Sequence, residues 1–249
     1  MVQLTFVLIR GLARGNAHWL DFPEHLRTAF PSSNIMCLEI PGNGERNSEQ
    51  TPFDPMVIVN DFRRAVFEKY SSPLCVIGIS LGGMLALKWA EAFPNEIQKA
   101  FVLNSSLAQL SNPFLRLRPS AYAAVFSSIV IQDKTSREKS ILKLISNLKM
   151  NDDFVSKKFV EIAYKSSTTI SNFFRQLYLA NRVRILGKPQ SEVFVLTAKN
   201  DKMVSYQCSV AIAKYLSAQY FVNLKAGHDL TLDDPDWVID KITHSFSDT

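Results

Sequence analysis

The sequence predicts an α/β fold, in which a mostly parallel sheet of about six strands carries helices on both faces. Short apolar runs alternate with longer segments of helical periodicity along most of the chain. This alternation is typical of parallel strands joined by crossover helices. The chain has 249 residues, of which 47% are hydrophobic, so it can form one α/β domain with a large core and an insertion.

The apolar runs and the periodic segments between them give the predicted elements in chain order. The first run ends at Ile9, and the third, residues 74–79, contains no polar side chain except a thiol. The predicted strands lie near residues 2–9, 34–40, 74–79, 99–104, 192–198 and 219–224. The predicted helices lie near residues 17–30, 54–70, 81–93, 205–217 and 236–246.

A long segment, residues 107–188, interrupts this alternation. Its sequence predicts several helices, with Pro113, Pro119 and Pro189 near its ends. We therefore divide the chain into a core, residues 1–106 and 189–249, and an inserted helical segment between the two parts. An insertion at this point can exclude water from a site at the sheet edge and shape a pocket there.

A serine lies at the predicted bend between the third strand and the next helix. Residues 78–82 are Gly-Ile-Ser-Leu-Gly, preceded by an apolar run and followed by a helical pattern. Gly78 and Gly82 have no side chain to collide where strand and helix meet, and the strained turn exposes the hydroxyl. This context predicts that Ser80 is a nucleophile.

A serine hydroxyl needs a base and an orienting carboxylate to react at neutral pH. His228 follows the sixth predicted strand, and Asp201 follows the fifth after a short turn. Both positions lie at the edge where active sites of open α/β sheets form. The order serine, acid, histidine is the one expected of α/β-hydrolases, so Ser80, Asp201 and His228 form the predicted triad. The remaining histidines, at positions 18, 25 and 244, are predicted to be surface or half-buried helix residues.

By these residues and three further segments, the chain is identified as a member of the α/β-hydrolase superfamily over nearly its full length. Residues 7–19 resemble the family's His-Gly-x oxyanion loop, with a tryptophan eight positions after the glycine. Residues 39–48 are similar to its Asp-x-Pro-Gly-x-Gly-x-Ser turn, and residues 227–237 to its histidine loop and last helix. With only six strands, the chain resembles a trimmed form that lacks the amino-terminal hairpin.

The resemblance implies an oxyanion hole made by the backbone N–H groups of Leu12 and of Leu81, the residue after the nucleophile. Two residues depart from the family pattern: Arg10 replaces the usual histidine, and Glu39 the usual aspartate. The predicted oxyanion hole is compatible with arginine at position 10, because its donors are backbone N–H groups. Because a guanidinium only donates hydrogen bonds, we expect Arg10 and Gly11 to support the loop, Arg10 through nearby carbonyls or a carboxylate.

In the family, an insertion at residues 107–188 is a helical cap over the active site. Its apolar side chains are candidates for a pocket wall, although packing between cap helices is the more ordinary role for any one of them. The predicted pocket residues are Trp19, Phe114, Tyr122, Phe126, Phe173 and Phe174, with Leu117, Leu177 and Tyr178 as further candidates.

Charge divides along the same boundary. Residues 111–184 contain 13 Lys and Arg against 5 Asp and Glu, a net charge of +8, whereas the rest of the chain has a net charge of −3. Two explanations fit this surplus of positive charge. It is either an ordinary solvated helical face or a surface that attracts an acidic substrate or an acidic acyl carrier protein. No nucleic-acid-binding motif accompanies these cations, so nucleic acid is not an expected partner.

Three scattered cysteines, Cys37, Cys75 and Cys208, fit neither a disulfide framework nor a metal site. They predict packed thiols in a reducing, cytoplasmic compartment. The amino terminus lacks a basic region before its apolar run and is predicted as a core strand, not a cleavable signal. No apolar run reaches the roughly 18 residues of a membrane span. The predicted triad requires no metal or organic cofactor.

These features predict a serine hydrolase that cleaves a carboxylic ester or thioester through an acyl-enzyme on Ser80. A serine nucleophile argues against epoxide hydrolase and haloalkane dehalogenase chemistry. Three alternatives stay open: an acyl-carrier-protein methyl ester esterase, which the chain resembles in size, cap and charge; a serine-triad lyase or carbon–carbon bond hydrolase; and a non-hydrolytic ligand receptor. An intact triad does not decide between them.

Overall fold

The computed structural model describes residues 3–71 and 73–247, apart from the side chains at positions 128 and 129. Its strands are β1 (Thr5–Ile9), β2 (Asn34–Leu38), β3 (Leu74–Ile79), β4 (Ile97–Leu103), β5 (Glu192–Ala198) and β6 (Gln219–Asn223). Within the described residues they form one parallel sheet in the order β2-β1-β3-β4-β5-β6. The predicted fold class is confirmed, although the predicted start of the first strand at residue 2 lies outside the described residues.

Helices cover both faces of this sheet and fill the inserted segment. The helices of the core are α1 (Phe22–Ala29), α2 (Pro55–Phe67), α3 (Leu81–Ala92), α9 (Tyr206–Leu216), α10 (Leu230–Asp233) and α11 (Pro235–His244). Those between β4 and β5 are α4 (Pro113–Arg116), α5 (Pro119–Val130), α6 (Lys134–Ile145), α7 (Asp153–Lys165) and α8 (Ile170–Arg182). None of the helices in the described part of the chain has the length and apolarity needed to span a bilayer.

The predicted single helix over residues 17–30 is wrong in detail. A 3-10 turn over Asn16–Trp19 comes first, and α1 begins only at Phe22. Leu20 between them has a φ of 49°, which no helix continues through. Pro23 then lies in the first turn of α1, where its missing N–H costs nothing.

The two faces of the sheet carry separate apolar layers. Alternate strand side chains point to opposite faces, so Val7 and Val76 pack with α2, α3 and α9, whereas Phe6 and Ile77 pack with α1 and α11. A strand covered on both faces is apolar at successive positions. This is why the strands are continuous apolar runs in the sequence.

Because the strands are parallel, their carboxyl ends meet at one edge of the sheet. Arg10, Ser80 and Asn104 directly follow β1, β3 and β4, and loops after β5 and β6 carry Asp201 and His228. The inserted helices lie over this edge, since their side chains share a cavity with Ser80. Helices α5, α6 and α7 have a small core of their own, whereas Leu179 of α8 joins the core of the sheet.

Candidate active site

Ser80 lies at the tight turn between β3 and α3. Its backbone has a φ of 54° and a ψ of −115°, a conformation that a residue with a side chain adopts only under strain. Close contacts between backbone segments impose this conformation. A Cβ atom at Gly82 would lie 2.1 Å from the carbonyl oxygen of Ile9, and a Cβ atom at Gly78 would lie 2.4 Å from the carbonyl oxygen of Gly82. Only glycine fits at these two positions, so the strand and helix meet closely enough to present the serine at the sheet edge.

His228 and Asp201 form a buried pair at the same edge. Nδ1 of His228 lies 2.7 Å from Oδ2 of Asp201. The other carboxylate oxygen accepts hydrogen bonds from the backbone N–H groups of Met203 at 2.7 Å and Val204 at 2.9 Å. The carboxylate is thus fixed on both oxygens and orients the imidazole through Nδ1, which makes Nε2 the nitrogen available to act as a base. His228 and Ser80 line one cavity.

The surroundings of His228 set its protonation. Burial by itself lowers the pKa of the imidazole, but the charge of Asp201 and its hydrogen bond to the ring raise it, as does the charge of Asp229. Arg10 acts in the opposite direction, and the resulting pKa lies above the usual 6.5. The ring is therefore a stronger base than a free histidine.

The loop after β1 lies against the serine. A Cβ at Gly11 would lie 3.0 Å from Cβ of Ser80 and 3.7 Å from its Oγ. Leu12 and Leu81 line the cavity beside Ser80, and no acceptor in the described part of the chain takes either backbone N–H. The structure therefore brings together the two residues predicted to supply the oxyanion hole.

This loop is held in place from the inserted segment. Ala13 has a φ of 55° and donates its N–H to Oε1 of Gln176 on α8 at 2.8 Å. The amide nitrogen of Gln176 donates to Asn43 at 2.7 Å, and the side chain is fully buried. Sequence reasoning missed Gln176, because nothing near it in the chain indicates that it contacts a loop 163 residues away.

Arg10 forms a buried ion pair with Asp229, the residue after the candidate base. Its two terminal nitrogens lie 3.2 and 2.5 Å from the two carboxylate oxygens. Both side chains are almost fully buried, and Trp19 stacks under the guanidinium at 4.8 Å. The pKa of the Asp229 carboxyl is lowered by the Arg10 charge against the effect of burial, so the pair is ionised. It ties the end of β1 to the histidine loop.

Asn104 is a second residue that sequence reasoning missed. Its amide nitrogen donates to the carbonyl oxygens of Gly227 and His228 at 3.0 and 2.8 Å. Its amide oxygen accepts from the backbone N–H of Ala198 at 2.7 Å. One side chain therefore connects the ends of β4, β5 and β6. A polar residue directly after the apolar run of β4 was the available signal.

A cavity of about 720 Å³ lies above the sheet edge and is partly covered by the inserted helices. Of the predicted pocket residues, Tyr122 and Phe173 line it, as do the further candidates Leu117 and Leu177. The prediction is wrong for Trp19, which is buried in the core and stacks on Phe22. It is also wrong for four exposed side chains that do not line the cavity, namely Phe114, Phe126, Phe174 and Tyr178. These side chains lie on the solvent-exposed faces of the inserted helices.

A polar cluster lines another part of the cavity wall. His18 was predicted to be an ordinary surface or half-buried helix residue, but it is 5% exposed and packs against Phe159 of α7. Arg14 lies 2.9 Å from Nε2 of His18 and 2.8 Å from Glu138 of α6. Burial lowers the pKa of His18 well below 6.5, and the charges of Arg14 and Arg10 lower it further. His18 is therefore neutral at pH 7.

His25 is partly exposed and lies 3.1 Å from Asp236, as expected of a surface helix histidine. Among the residues that the structure describes, no cluster of His, Cys, Asp or Glu has an arrangement that could hold a metal ion.

The chain has clear relatives among known folds. A family model described as "Alpha/beta hydrolase family" matches residues 6–241. A comparison of the sequence with curated proteins finds no match.

Solved structures similar to the chain include a hydrolase from Pseudomonas aeruginosa PA01, with a TM-score of 0.77 and 14% identity over 97% of this chain and 89% of that one. Esterase RhEst1 from Rhodococcus sp. ECU1013 has a TM-score of 0.76 and 14% identity over 98% and 90% of the two chains. The RedJ thioesterase from Streptomyces coelicolor has a TM-score of 0.67 and 16% identity over 97% and 85%. At these identities the likeness concerns the fold.

Proposed function

The chain belongs to the α/β-hydrolase family, and on that premise we propose that it is a serine hydrolase that cleaves a carboxylic ester or a thioester. One observation carries the proposal. A strained, cavity-lining Ser80, a hydrogen-bonded His228–Asp201 pair and two backbone N–H groups converge at one sheet edge. This is the set of groups that acyl transfer to a serine requires.

The proposed reaction has two steps. Oγ of Ser80 attacks the carbonyl carbon while His228 takes the hydroxyl proton, and Asp201 stabilises the imidazolium that forms. The N–H groups of Leu12 and Leu81 bind the oxyanion, each contributing on the order of 10²- to 10³-fold to turnover. His228 returns the proton to the leaving alcohol or thiol as the acyl-enzyme forms. It then takes a proton from a water molecule that attacks the acyl carbon, and gives that proton to Oγ of Ser80 as the bond to the serine breaks and the acid is released.

We assign residues 107–188 as a cap on a core of residues 1–106 and 189–249. The cavity walls support this division, because residues 107–188 supply more than half of the residues that line the cavity beside Ser80. The net charge of +8 on residues 111–184 supports an acidic substrate or an acidic acyl carrier protein as a partner. Such a carrier would extend the activity to acyl-carrier-protein methyl esters.

A cytoplasmic location is part of the same proposal. Cys37, Cys75 and Cys208 are free thiols. Burial raises the pKa of the Cys37 thiol to about 11 and that of the Cys75 thiol to about 12, which keeps both protonated and unreactive. Buried free thiols are typical of proteins from reducing compartments.

Substitution Ser80→Ala tests the proposal. Hydrolysis of p-nitrophenyl acetate should fall by roughly 10⁴- to 10⁶-fold, because removing a triad serine alone removes most of the chemistry. The thermal midpoint should stay within a few degrees of wild type. Ser171→Ala, on the exposed side of α8, is the matched control and should retain full activity. A Ser80→Ala protein that keeps most of the wild-type rate would contradict the proposal, and wild type that binds but never hydrolyses esters would support a receptor.

A further inference from the structure

Four arginines line the cavity, and three of them face a carboxylate. Arg10 pairs with Asp229, and both Arg14 and Arg137 lie within 4 Å of Glu138. The fourth, Arg116 at the end of α4, has no carboxylate within that distance among the residues that the structure describes. Arg14 and Arg137 thus share one carboxylate, and Arg116 alone of these four arginines has no carboxylate partner among the described residues.

The contacts of Arg116 fix its position without neutralising it. Nε donates to Oγ of Ser106 at 3.3 Å, and the terminal nitrogens donate to Oδ1 of Asn181 at 2.5 Å and to the Ala180 carbonyl oxygen at 2.8 Å. All three acceptors are neutral. Burial lowers the pKa of Arg116, and the charge of Arg184 lowers it further. A guanidinium stays charged under these conditions, so the cavity holds an uncompensated positive charge.

Arg116 is also connected to the nucleophile. Oγ of Ser105 donates to the backbone carbonyl of Ser80 at 2.7 Å, and the next residue, Ser106, is the one that holds Nε of Arg116. Ser80, Ser106 and Arg116 all line the cavity. A group bound to Arg116 therefore lies in the same cavity as Ser80.

We propose that Arg116 binds a carboxylate of the substrate, so that the enzyme prefers esters whose acyl or alcohol part carries a free carboxylate. The inference rests on the proposed ester hydrolysis by Ser80. Three of the five guanidinium N–H groups are used in the wall, which leaves two to donate to a carboxylate. Because the side chain is already held, little conformational entropy is lost on binding.

The test compares esters matched in size and different in charge. Monomethyl adipate and methyl hexanoate vary the charge on the acyl part, whereas 4-acetoxybutanoate and butyl acetate vary it on the alcohol part. For wild type, the anionic ester of at least one pair should have the higher kcat/KM. Arg116→Gln should lower that value by about 10- to 100-fold, mainly through KM, because a charge-assisted hydrogen bond is lost. Its effect on both neutral esters should stay below about threefold, and Arg116→Lys should retain part of the preference.

Two control variants locate the effect. Arg182→Gln removes one exposed charge of the inserted segment outside the cavity, and it should leave kcat/KM unchanged for both esters of each pair. Arg137→Gln removes a cation at the Glu138 part of the cavity and should leave the preference intact. A preference lost in Arg137→Gln and kept in Arg116→Gln would overturn the proposal. An equal loss on charged and neutral esters in Arg116→Gln would also overturn it, because that pattern indicates a structural role.

Binding of adipate separates this inference from the proposed hydrolysis. Adipate itself should bind Ser80→Ala in calorimetry and should not bind the double variant Ser80→Ala/Arg116→Gln at the same concentrations. That result would support the carboxylate site even if wild type hydrolysed no ester. Equal binding, or no binding, in both variants would overturn the site, whatever the outcome for hydrolysis.

Discussion

The sheet edge and the inserted helices are built in different ways. At the edge, Ser80, Asn104 and Asp201 are fixed by backbone hydrogen bonds and by contacts too close for any residue but glycine. Three of the inserted helices, α5, α6 and α7, share a small core, and large apolar side chains such as Phe126 stay exposed, in that case by 67%. The contrast indicates that local strand and turn geometry determines the reacting groups, whereas distant side-chain contacts determine the shape and charge of the cavity.

The two regions meet at the histidine loop. The Asp229 N–H donates to the Ile145 carbonyl oxygen of α6 at 2.8 Å. Asp233 accepts from the backbone N–H groups of Asn147 at 2.8 Å and Gly227 at 2.6 Å. The inserted segment is thus hydrogen-bonded to the loop that carries His228, the proposed base. A change at the edge should therefore act on chemistry, and a change at this junction should act mainly on stability.

The largest effect is expected at the edge itself, from Asp201→Asn. The amide preserves the shape but cannot stabilise an imidazolium, so turnover should fall by roughly 10⁴-fold. Asp201 raises the pKa of His228, so its removal should move the acidic limb of the pH–rate profile to lower pH. The measurement is kcat/KM between pH 5 and 9. If the acidic limb of the pH–rate profile did not move, Asp201 would not be the group that raises the pKa of His228.

A smaller effect is expected from Arg10→Ala, which leaves the buried Asp229 carboxylate unpaired. Turnover should fall by about 10- to 100-fold as the oxyanion loop shifts, with less change in KM. Arg10 lowers the pKa of His228 and Asp229 raises it, so the acidic limb should move to higher pH, opposite to Asp201→Asn. The thermal midpoint should also fall, because breaking a buried pair costs about 3–5 kcal/mol. An unchanged rate with weaker binding of anionic substrates would make Arg10 a substrate contact.

The smallest effect is expected where the loop after β1 packs on α7, from His18→Gln. The pKa of His18 in the folded protein lies well below 6.5, so the unfolded chain binds the extra proton first as pH falls. Stability from this group is complete above pH 6.5 and decreases below it, by at most about 1.4 kcal/mol per pH unit. Urea unfolding at pH 7 and pH 5 should show a smaller acid-induced loss in His18→Gln than in wild type.

His25→Gln is the matched control for that measurement. The imidazole of His25 is partly exposed near Asp21 and Asp236. An equally reduced acid-induced loss in His25→Gln would show that the effect is not specific to the buried His18. A loss in His18→Gln equal to that of wild type would show that burial of His18 does not contribute to acid sensitivity.

The sequence predicted the sheet well, because its strands are covered on both faces and are therefore continuous apolar runs. It also predicted which loops carry Ser80, Asp201 and His228, since parallel strands place all their carboxyl ends at one edge. The environment of His18 could not be predicted in the same way. Phe159 covers the His18 ring, and Arg14, which pairs with Glu138, sets the charge beside it. Phe159 and Glu138 both lie more than a hundred positions from His18 in the chain.

The cavity wall was predicted poorly for a related physical reason. An aromatic residue on a cap helix faces either the cavity or solvent according to how the helix is rotated, and composition does not fix that rotation. Phe173 and Phe174 are neighbours, yet only Phe173 lines the cavity. Likewise, the net charge of +8 on residues 111–184 does not show that Arg116 is the one arginine of the cavity wall, among the described residues, that has no carboxylate partner.

Covalent labelling of the nucleophile tests the central claim most directly. A fluorophosphonate probe reacts with a serine whose hydroxyl is activated by a neighbouring base, so peptide mapping by mass spectrometry should place the label on Ser80 of wild type. Labelling should be absent in Ser80→Ala and much slower in Asp201→Asn. A label on any other serine, or none on Ser80 of folded wild type, would contradict the assignment of Ser80, Asp201 and His228 as a catalytic triad.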